Sequence, residues 1–559
     1  MKKLFTILFL TGSLNSFAQT LITDTLYANG GALFAPPVPD AAGGSNTNIF
    51  KLTDNSILLC GYVYDLSVNG FYNVMLKADA CGDKDTTFGI NGYVQHTFDQ
   101  RNAGYDYAIQ PNGKIVVCGM QADGNGGSQQ FPFVARYNAD GNPDTTFGIM
   151  GTNKINYLGP QEFHSVYLMP DGKILCTNGT FAMRFQTDGT VDNTFGTNGV
   201  VTIPVPPGIA FFYNFTSVMR SDGKIVSTSR GCGGPDCYVT QLCYDTLGLV
   251  DSTFGTNGFY IDANLNLNGS QGPRLIIQND DKVIAARGNN DLTITRYNTN
   301  GTVDTTFGVN GYINFPGVTT LEYISKFNDD KFLIGFPSIG SSQFYKYTAD
   351  GMPDTNFSIN GGNTFQFNNY ERANIGLASA SDEIIMGGFI GLSNGKFALT
   401  RFVLHSLIPQ ITQNALTLNA NIQDTNSTFQ WYLNGTAIAN ATDTTLTISQ
   451  PGTYTVEVSN IWGCISSDAI TVTNTGINIA AQLQGISFYP NPVSNALTID
   501  NSSAKEITAT LFDVSGKVLI TQKIASGKNT ISTNEISNGI YLLELKNEDG
   551  IMKTKIVKH

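Results

Sequence analysis

The stretch Asp140-Gly-Asn-Pro-Asp144-Thr-Thr-Phe147-Gly-Ile-Met-Gly151 contains a phrase that returns along the chain. The phrase is an acidic residue, one or two hydroxyl or amide residues, then Phe and usually Gly. Its six copies are Asp85–Gly89, Asp144–Gly148, Asp192–Gly196, Asp251–Gly255, Asp304–Gly308 and Asp354–Ser358. The Phe residues are 59, 48, 59, 53 and 50 positions apart. A period of this size predicts stacked supersecondary units, none of which buries its apolar face alone.

A second phrase precedes the Phe phrase and marks a tight turn between two apolar runs. It contains Asn112-Gly113, Asp171-Gly172, Asp222-Gly223, Asp280-Asp281 and Asp329-Asp330, each followed by Lys. Such pairs indicate a hairpin, because both turn residues tolerate a positive φ. With the strands on either side, each unit is predicted to have four short antiparallel strands. Four-stranded units of this length are typical of propeller blades.

The number of hairpins predicts an all-β propeller of seven blades. The hairpins span Phe50–Lys77, Asp106–Tyr137, Ser165–Phe185, Thr216–Tyr244, Pro273–Tyr297, Tyr323–Tyr347 and Ile375–Phe402. The seventh ends without a Phe phrase, so we expect the strand Leu21–Tyr27 to complete the seventh blade and remove the open sheet edge. An open solenoid is the alternative, and the count also leaves six or eight blades open.

The recurring residues have a structural explanation. We expect the Phe to fill the wedge between adjacent blades, the Gly to permit the turn and the Asp to cap it. The Phe positions are Phe88, Phe147, Phe195, Phe254, Phe307 and Phe357. The repeat arginines are expected to pack their stems and pair with turn aspartates, or else to ring the channel: Arg136, Arg184, Arg296 and Arg401. No metal or other cofactor is predicted; the alternative is calcium binding by turn aspartates such as Asp140, Asp144, Asp188 and Asp192.

The N-terminus predicts export. A basic start, a short apolar run and small residues before Gln19 are typical of a signal peptide over residues 1–18, cleaved between Ala18 and Gln19. No later segment has the length of a transmembrane helix. The formal net charge of -12 argues against nucleic acid as a partner.

The eight cysteines contain no zinc pattern. Cys60, Cys118 and Cys176 are interpreted as equivalent positions of successive repeats with a buried apolar role. Cys232 and Cys237 lie in one short loop, where a local disulfide is possible in an oxidising compartment.

The repeat units resemble the delta-60 repeat, an uncharacterised propeller-type repeat of bacterial surface and secreted proteins. The resemblance covers about residues 21–405. The motif is matched at Asp140–Gly151, Asp188–Gly199 and Asn300–Gly311, and is degraded at Asp350–Gly361, where Ser358 replaces the Gly. The resemblance implies the shape of residues 19–405 and no established enzyme activity.

Residues 408–474 show a different pattern of short alternating strands and resemble an immunoglobulin-like sandwich. Trp431 is expected as the buried strand aromatic and Tyr454 as the tyrosine corner. The residue two positions after Tyr454 is Val456 rather than Cys, and Cys464 has no partner within this module. A small polar stretch, residues 475–485, is read as a linker.

The final module, residues 486–559, is predicted as a small all-β sandwich and closely resembles the type A C-terminal sorting domain of the type IX secretion system. The motif residues are Tyr489, Pro490, Asn491, Pro492, Asp513, Gly516, Gly539 and Tyr541. The resemblance implies translocation across the outer membrane, with the secretion machinery as partner. The product would be secreted or attached to the outer surface of a Gram-negative bacterium.

No catalytic constellation stands out in the sequence. The four histidines, His96, His164, His405 and His559, fall in different blades or at module ends. We therefore expect a surface-displayed binding or adhesion protein that uses a propeller face to recognise glycans or other cell-surface polymers. Exposed aromatics in the inter-strand loops would contact the ligand; Phe211-Phe212-Tyr213 is one candidate stretch, with buried packing as its alternative. The alternatives are an extracellular polysaccharide hydrolase or lyase with paired carboxylates, and a non-binding surface scaffold.

Overall fold

The computed structural model divides into two compact units. The first comprises residues 1–407 with 423–426 and 459–465; the second comprises 408–422, 427–458 and 466–559. The structure describes residues 22–23, 27, 32–35, 41–67, 69–98, 101–122, 129–156, 161–232, 237–266, 273–288, 291–338, 341–355, 357, 362–365, 371–378, 384–390, 396–403, 408–422, 427–460, 463–473, 485–548 and 550–559. The signal-peptide prediction, including Ala18 and Gln19, lies outside these residues, as do most of the predicted linker and Ser358. In the described part of the chain no helix is long and apolar enough to cross a membrane.

The first unit is built from antiparallel sheets that follow one another along the chain. The chain opens with two short strands, β1 Ile22–Thr23 and β2 Ala32–Phe34. Blade 1 contains β3 Ala41–Lys51, β4 Ile57–Asp65, β5 Gly70–Ala78 and β6 Tyr93–His96; blade 2 contains β7 Asn102–Ile109, β8 Ile115–Ala122, β9 Gln130–Tyr137 and β10 Thr152–Lys154. Blade 3 contains β11 Ser165–Leu168, β12 Ile174–Thr177, β13 Phe181–Phe185 and β14 Val200–Thr202; blade 4 contains β15 Phe211–Met219, β16 Ile225–Cys232, β17 Cys237–Tyr244 and β18 Phe259–Asn266.

The remaining blades repeat the same order. Blade 5 contains β19 Arg274–Ile277, β20 Val283–Gly288, β21 Leu292–Tyr297 and β22 Tyr312–Phe315; blade 6 contains β23 Tyr323–Lys326, β24 Phe332–Ser338, β25 Ser341–Tyr347 and β26 Gly362–Phe365; blade 7 contains β27 Glu371–Ala378, β28 Ile384–Ile390 and β29 Lys396–Val403. In blades 1 to 6 each strand pairs with its sequence neighbour. The seven sheets confirm the prediction of a seven-bladed propeller.

The seventh blade is completed by the start of the chain. Strand β1 pairs with β29 through Ile22↔Val403 and Thr23↔Phe402, and β2 pairs with the same strand through Ala32↔Thr400. The described strand residues of the expected closing strand Leu21–Tyr27, Ile22 and Thr23, pair in the predicted blade, and β2, which the prediction did not include, pairs with the same partner strand. Tyr27 lies between the two paired segments and is fully buried.

The core of the first unit consists of apolar layers, several of which lie between neighbouring blades. Phe88 packs with residues of blades 1 and 2, Phe147 with blades 2 and 3, and Phe195 with blades 3 and 4. Because strand side chains alternate between the two faces of a sheet, the near-continuous burial of β8 and β9 shows that both faces of blade 2 are covered.

The second unit contains two all-β modules. In the first, β30 Gln410–Asn414, β31 Thr417–Asn421 and β34 Thr445–Thr447 form one sheet, and β32 Thr428–Leu433, β33 Thr436–Ala437, β35 Gly452–Ser459 and β36 Ile465–Val472 form the other. Trp431 is fully buried, and its Nε1–H donates to the Asp443 carbonyl at 2.9 Å. The Tyr454 hydroxyl donates to the Gln450 carbonyl at 2.8 Å, the contact of a tyrosine corner.

The C-terminal module also packs two sheets. One is formed by β37 Ile486–Tyr489, β38 Ala496–Asn501 and β41 Gly527–Ser532; the other by β39 Ile507–Phe512, β40 Val518–Ile524, β42 Gly539–Asn547 and β43 Gly550–Lys558. Alternating residues of these strands face one apolar core that includes Leu497, Leu511 and Leu543. A small β-sandwich was predicted for this module, and the all-β fold is confirmed.

Candidate functional site on the propeller

The strand order gives the propeller two different faces. In each of blades 1 to 6 the tight turn between the first and second strands and the Phe phrase between the third and fourth lie at the same end of the sheet; we name this end the turn face. The opposite end, the loop face, carries the connections between the second and third strands and between blades. Several of these connections include segments outside the described residues: 123–128, 157–160, 233–236, 289–290, 339–340 and 391–395.

On the turn face, the Asp of the Phe phrase connects three parts of its blade. Asp192 Oδ1 accepts the Thr194 N–H at 3.1 Å and its hydroxyl at 2.6 Å. Its Oδ2 accepts Lys173 Nζ at 2.9 Å and Arg184 Nε at 2.7 Å. The Lys comes from the tight-turn phrase and the Arg from the third strand. The Asp side chain therefore caps its turn and neutralises two cations that come from separate strands.

The same arrangement recurs around the ring. Asp144 pairs with Lys114 and Arg136, both at 2.7 Å, and Asp304 pairs with Lys282 at 3.1 Å and Arg296 at 2.9 Å. Three of the four repeat arginines, Arg136, Arg184 and Arg296, therefore pair with turn aspartates, the simpler of the two expectations. They also stack on the Phe: the guanidinium carbon lies 4.6 Å from the Phe147 ring centroid in blade 2 and 4.8 Å from that of Phe195 in blade 3.

These contacts lower the pKa of the Phe-phrase aspartate in blades 1 to 5. Hydrogen bonds from Thr194, Lys173 and Arg184 hold the pKa of Asp192 well below its usual range, despite burial. In Asp251 the hydrogen bonds from Lys224 and Thr253 lower the pKa to about 2. Cations of the blade occupy carboxylate oxygens that a calcium ion would need, so ion pairing and turn capping account for the recurring Asp of the Phe phrase. No group of three or more potential metal ligands is found among the described residues.

The Phe-Gly step of one blade contacts the turn of the next. The Gly148 N–H donates to the Asp188 carbonyl at 2.6 Å, and a Cβ at Gly189 would lie 2.7 Å from the Phe147 ring. The same hydrogen bond joins Gly255 to Asn300 at 2.7 Å and Gly308 to Asp350 at 2.9 Å. Glycine is therefore needed in this turn for two reasons: the backbone has a positive φ, and the aromatic ring of the preceding blade leaves no room for a Cβ.

Blade 7 has a diverged Phe phrase that the sequence analysis missed. Thr23 pairs with Phe402 in the way that Pro143 bridges to Tyr137. The Arg401 guanidinium lies 4.9 Å from the Tyr27 ring centroid, as Arg136 does over Phe147. The sequence Asp24-Thr-Leu-Tyr27 therefore corresponds to Asp144-Thr-Thr-Phe147, with residues 24–26 outside the described part. Tyr in place of Phe, and a missing Gly, concealed this copy.

On the innermost strands, Asp106 links three blades. Its Oδ1 accepts Asn48 Nδ2 from blade 1 at 2.8 Å, and its Oδ2 accepts the Val166 N–H from blade 3 at 2.8 Å. Both partners are neutral, so burial dominates and raises the pKa of Asp106 to about 6. This is opposite to the direction found for the turn-face aspartates.

The loop face carries a cluster of aromatic and titratable side chains from blades 1, 2 and 3. The rings of Tyr105 and His164 stack, with centroids 5.6 Å apart and planes 10° apart, and the Tyr62 ring meets Tyr105 edge-on at 5.6 Å. Glu162 Oε1 lies 3.0 Å from His164 Nε2 and also accepts the Tyr105 hydroxyl. We name Tyr62, Tyr105, Glu162 and His164 the loop-face cluster.

Local backbone features bring this cluster together. Tyr105 lies in a β-bulge, where the register shifts between Gly104 and Asp106. A bulge turns a side chain away from the regular alternation and is frequent beside functional sites. His164 immediately precedes β11, and its N–H donates to the Thr177 carbonyl at 2.9 Å.

The electrostatics of the cluster keep Glu162 ionised. Burial acts to raise its pKa, but hydrogen bonds from His164 and Tyr105 lower it overall. Burial and the Glu162 charge raise the pKa of Tyr105. About a quarter of the His164 side chain and a third of the Glu162 side chain remain exposed. The cluster can therefore present aromatic surface together with a negatively charged hydrogen-bond acceptor.

The other predicted positions lie apart from this cluster. His96 Nδ1 lies 3.3 Å from the Tyr137 hydroxyl, and burial lowers the pKa of His96. The side chains of Phe211, Phe212 and Tyr213 and the whole of His405 are outside the described residues. His559 is exposed at the chain end. Along the sequence His164 is an isolated histidine, since Tyr62 and Tyr105 are far from it.

The cysteines occupy three kinds of site. Cys232 and Cys237 form a disulfide across the β16–β17 pair, and Cys81 and Cys464 form a second that the sequence did not predict. Cys60, Cys118 and Cys176 are buried thiols. Their proposed equivalence was wrong for Cys176: it follows Ile174 by two residues, whereas Cys60 and Cys118 follow Ile57 and Ile115 by three. Cys176 therefore points to the opposite sheet face and shares the core cluster of Cys118.

In the C-terminal module the motif residues organise turns and edges. Asn491 lies between two prolines and holds the last strand: its Nδ2 donates to the Lys555 carbonyl at 2.8 Å, and its Oδ1 accepts the Val557 N–H at 2.9 Å. Asp513 Oδ1 caps a turn by accepting the Ser515 N–H at 2.8 Å. The Tyr541 hydroxyl donates to the Ser537 carbonyl, and Tyr489 is exposed.

Two family models match parts of the chain. Residues 487–559 match the secretion system C-terminal sorting domain, and residues 110–147 and 278–307 match a β-propeller domain of unknown function (DUF5122). Each of the two propeller matches ends at a repeat Phe. The recognition of a repeat propeller followed by a sorting tail is thereby confirmed. No curated protein matches the chain.

Solved structures share the fold at low identity. The polysaccharide lyase Uly1 has a TM-score of 0.39 and 10% identity, covering 69% of this chain and 98% of that one. Prolyl oligopeptidase B from Galerina marginata, as apo protein, has a TM-score of 0.39 and 10% identity, covering 78% of this chain and 56% of that one, so this chain spans about half of its length. The PQQ-bound aldose sugar dehydrogenase from Streptomyces coelicolor has a TM-score of 0.33 and 9% identity, covering 66% and 98%. These likenesses concern the fold alone.

Proposed function

We propose that this protein is exported, is released or displayed at the outer surface of a Gram-negative bacterium, and binds a glycan through the loop face of its propeller. The sorting-domain match supports export. The loop-face cluster is the observation that carries the binding proposal. It combines ring surfaces that can contact the apolar face of a sugar with a carboxylate that accepts hydrogen bonds from sugar hydroxyls.

The contrast with the turn face supports this assignment. The turn-face aspartates use their carboxylates on partners within the propeller, whereas the loop-face cluster leaves part of His164 and Glu162 accessible. The clustered residues come from three consecutive blades, so only the folded ring creates the surface. The exposed apolar residues of the turn face, such as Ile90 and Ile149, belong to different blades and are ordinary single exposures.

The binding proposal is tested with the purified secreted chain on a glycan array, with calcium and with chelator. We expect a specific hit that is lost in His164→Ala and in Tyr105→Ala. Ile149→Ala, which changes a turn-face side chain that is 80% exposed, is the control and should bind like the parent. A hit that all three variants keep would place the ligand elsewhere. Loss of the hit in chelator would implicate calcium, and a blank array would contradict glycan binding.

A hydrolytic or lyase activity is the second candidate. Glu162 contacts His164 and Tyr105, and side chains of these three types can act as general acids or bases. An enzyme would shorten the bound polysaccharide over time, and Glu162→Gln would stop this shortening while binding persists. A ligand that remains intact over hours supports the binding function.

Export is proposed to depend on the sorting motif, with the secretion machinery as partner. Asn491→Ala removes both hydrogen bonds to the last strand, so we expect the chain to accumulate inside the cell. Asn529→Ala is the matched control, because Asn529 brackets a turn of the same module, with Nδ2 donating to Ala525 and Gly527, outside the motif. Equal secretion of both variants would contradict a role for Asn491 in sorting.

A further inference from the structure

The propeller ring has one joint that differs from the others. At the joint between blades 7 and 1, strands from the two ends of the propeller chain complete one sheet. Among the described residues of the N-terminal segment, the 2 residues of β1 and the 3 residues of β2 pair with β29, and the Ala35 N–H donates to the Phe397 carbonyl at 2.8 Å. If these short strands detach from β29, the ring opens at this joint, which we name the seam. In blades 1 to 6 the outer strand directly follows its partner strand in sequence. If such a strand detaches, the chain still holds it next to its own blade.

The seam uses the same polar contact as the regular joints. Arg401 of blade 7 is 1% exposed, and its Nη1 donates to the Ala80 carbonyl in the turn of blade 1 at 2.6 Å. Arg136 donates in the same way to Thr187 in the next blade, and Arg296 to Ala349. In the regular joints the residue that follows the accepting carbonyl is an aspartate, Asp188 or Asp350. At the seam the corresponding residue is Cys81.

Cys81 is bonded to a segment that follows the ring in sequence. Its partner Cys464 lies 383 residues later, with the Cα atoms 5.4 Å apart. The segment 459–465 belongs to the first unit. Among its described residues, the Gly463 N–H donates to the Asn460 carbonyl at 2.9 Å, and the Cys464 N–H donates to Asn460 Oδ1 at 3.0 Å. Arg401 Nη2 lies 3.9 Å from Cys464 Sγ, so the seam arginine contacts both sides of the bridge.

We propose that the Cys81–Cys464 disulfide is a covalent lock on the propeller seam, formed only after the chain has left the reducing cytoplasm. The bridge connects blade 1 to chain that lies beyond blade 7, which makes it a second closure besides β1 and β2. Formation removes one proton from each thiol and transfers two electrons to a disulfide oxidant, which becomes a dithiol. The proposal rests on export and does not require that the propeller binds a glycan.

The other disulfide provides an internal comparison. Cys232 and Cys237 are separated by 5 residues and close a loop within one hairpin of blade 4. Stabilisation by a crosslink grows with the length of the chain that it closes. The local bridge is therefore expected to contribute little, and the seam bridge to contribute much, to the stability of the ring.

The test compares Cys81→Ser/Cys464→Ser with Cys232→Ser/Cys237→Ser in the full secreted chain. Peptide mapping under non-reducing conditions should recover Cys81 and Cys464 in one linked peptide. Reduction of the folded Cys232→Ser/Cys237→Ser chain should lower the propeller Tm by about 5 °C or more. Hydrogen exchange should rise selectively in residues 22–35 and 396–403.

Cys81→Ser/Cys464→Ser should already show the lower Tm and should not respond to reductant at these residues. If this variant does not fold, reduction of the other variant after folding still tests the lock. An absent linked peptide would overturn the proposal. An unchanged Tm, or exchange that rises equally in all blades, would also overturn it.

Discussion

The turn face and the loop face of the propeller use the same kinds of residue for different purposes. On the turn face, Asp192 gives its carboxylate to Lys173, Arg184 and its own turn, and its pKa is lowered. Toward the loop face, Glu162 shares its carboxylate with a histidine and a tyrosine that remain partly exposed. The difference teaches that the repeated residues hold the ring together, whereas the residues of the loop-face cluster, which do not repeat, keep part of their polar surface exposed.

Removal of a turn-face carboxylate should have the largest effect on this comparison. Asp192→Ala leaves Lys173 and Arg184 without their shared anion, so the free energy of unfolding should fall by about 3 kcal/mol. Asp188→Ala is the matched control, because Asp188 caps an exposed turn through Thr190 without contacting a cation in its own blade. Calorimetry of the full chain, following the propeller transition, distinguishes the two. Equal losses would show that capping, not ion pairing, is what matters.

The contact between blades is probed by two glycines with nearly the same backbone. Gly189 and Gly223 have φ values of 83° and 81°, but only at Gly189 would a Cβ meet the preceding blade, 2.7 Å from Phe147. Gly189→Ala should therefore destabilise the propeller by about 2 kcal/mol more than Gly223→Ala. Similar Tm values for the two variants would mean that Phe147 can move aside.

Acid should weaken the turn face first. The Phe-phrase aspartates of blades 1 to 5 have lowered pKa values, so their contribution to stability is fully present above about pH 4 and is lost as the pH falls through the folded-state pKa. For Asp251, with a pKa of about 2, this loss lies between about pH 4 and 2. Asp251→Asn should be less stable at pH 7 and lose stability less steeply below pH 4. If the stability of Asp251→Asn fell with pH in parallel with that of the parent chain, the assigned ion pair between Asp251 and Lys224 would be contradicted.

Asp106 should behave in the opposite sense. Its pKa is raised to about 6, so the folded state binds a proton more readily than the unfolded chain. Its contribution therefore becomes less favourable as the pH rises from about 4 to 6. Nuclear magnetic resonance titration of the Asp106 carboxyl carbon should show a midpoint near pH 6. A midpoint near pH 4 would show that the hydrogen bonds from Asn48 and Val166 outweigh burial.

The smallest effect on stability is expected at the loop face. Glu162→Gln keeps the shape and removes a partly exposed charge, so the free energy of unfolding should change by less than about 0.5 kcal/mol. Ligand binding or turnover on the glycan array should nevertheless change. A large loss of stability would move the cluster from the functional surface to the structural core.

Much of the fold could be predicted because its information is local. The Asp-Gly turn, the Phe phrase and the alternation of apolar residues each operate within a few positions, so blades and their number followed from spacing. The seventh Phe phrase escaped because Tyr27 replaces the Phe and Ala28 replaces the Gly that follows it. Cys176 was misassigned because a shift of one residue reverses the face of a strand.

The sequence by itself determined the repeat, the blade pattern and the sorting tail, since these depend on residues that are close along the chain. Only the tertiary structure decided which distant residues meet: Tyr62 and Tyr105 with His164, Cys81 with Cys464, and Tyr27 with Arg401. Such contacts depend on how the chain closes into a ring, and ring closure places residues side by side that no local pattern relates.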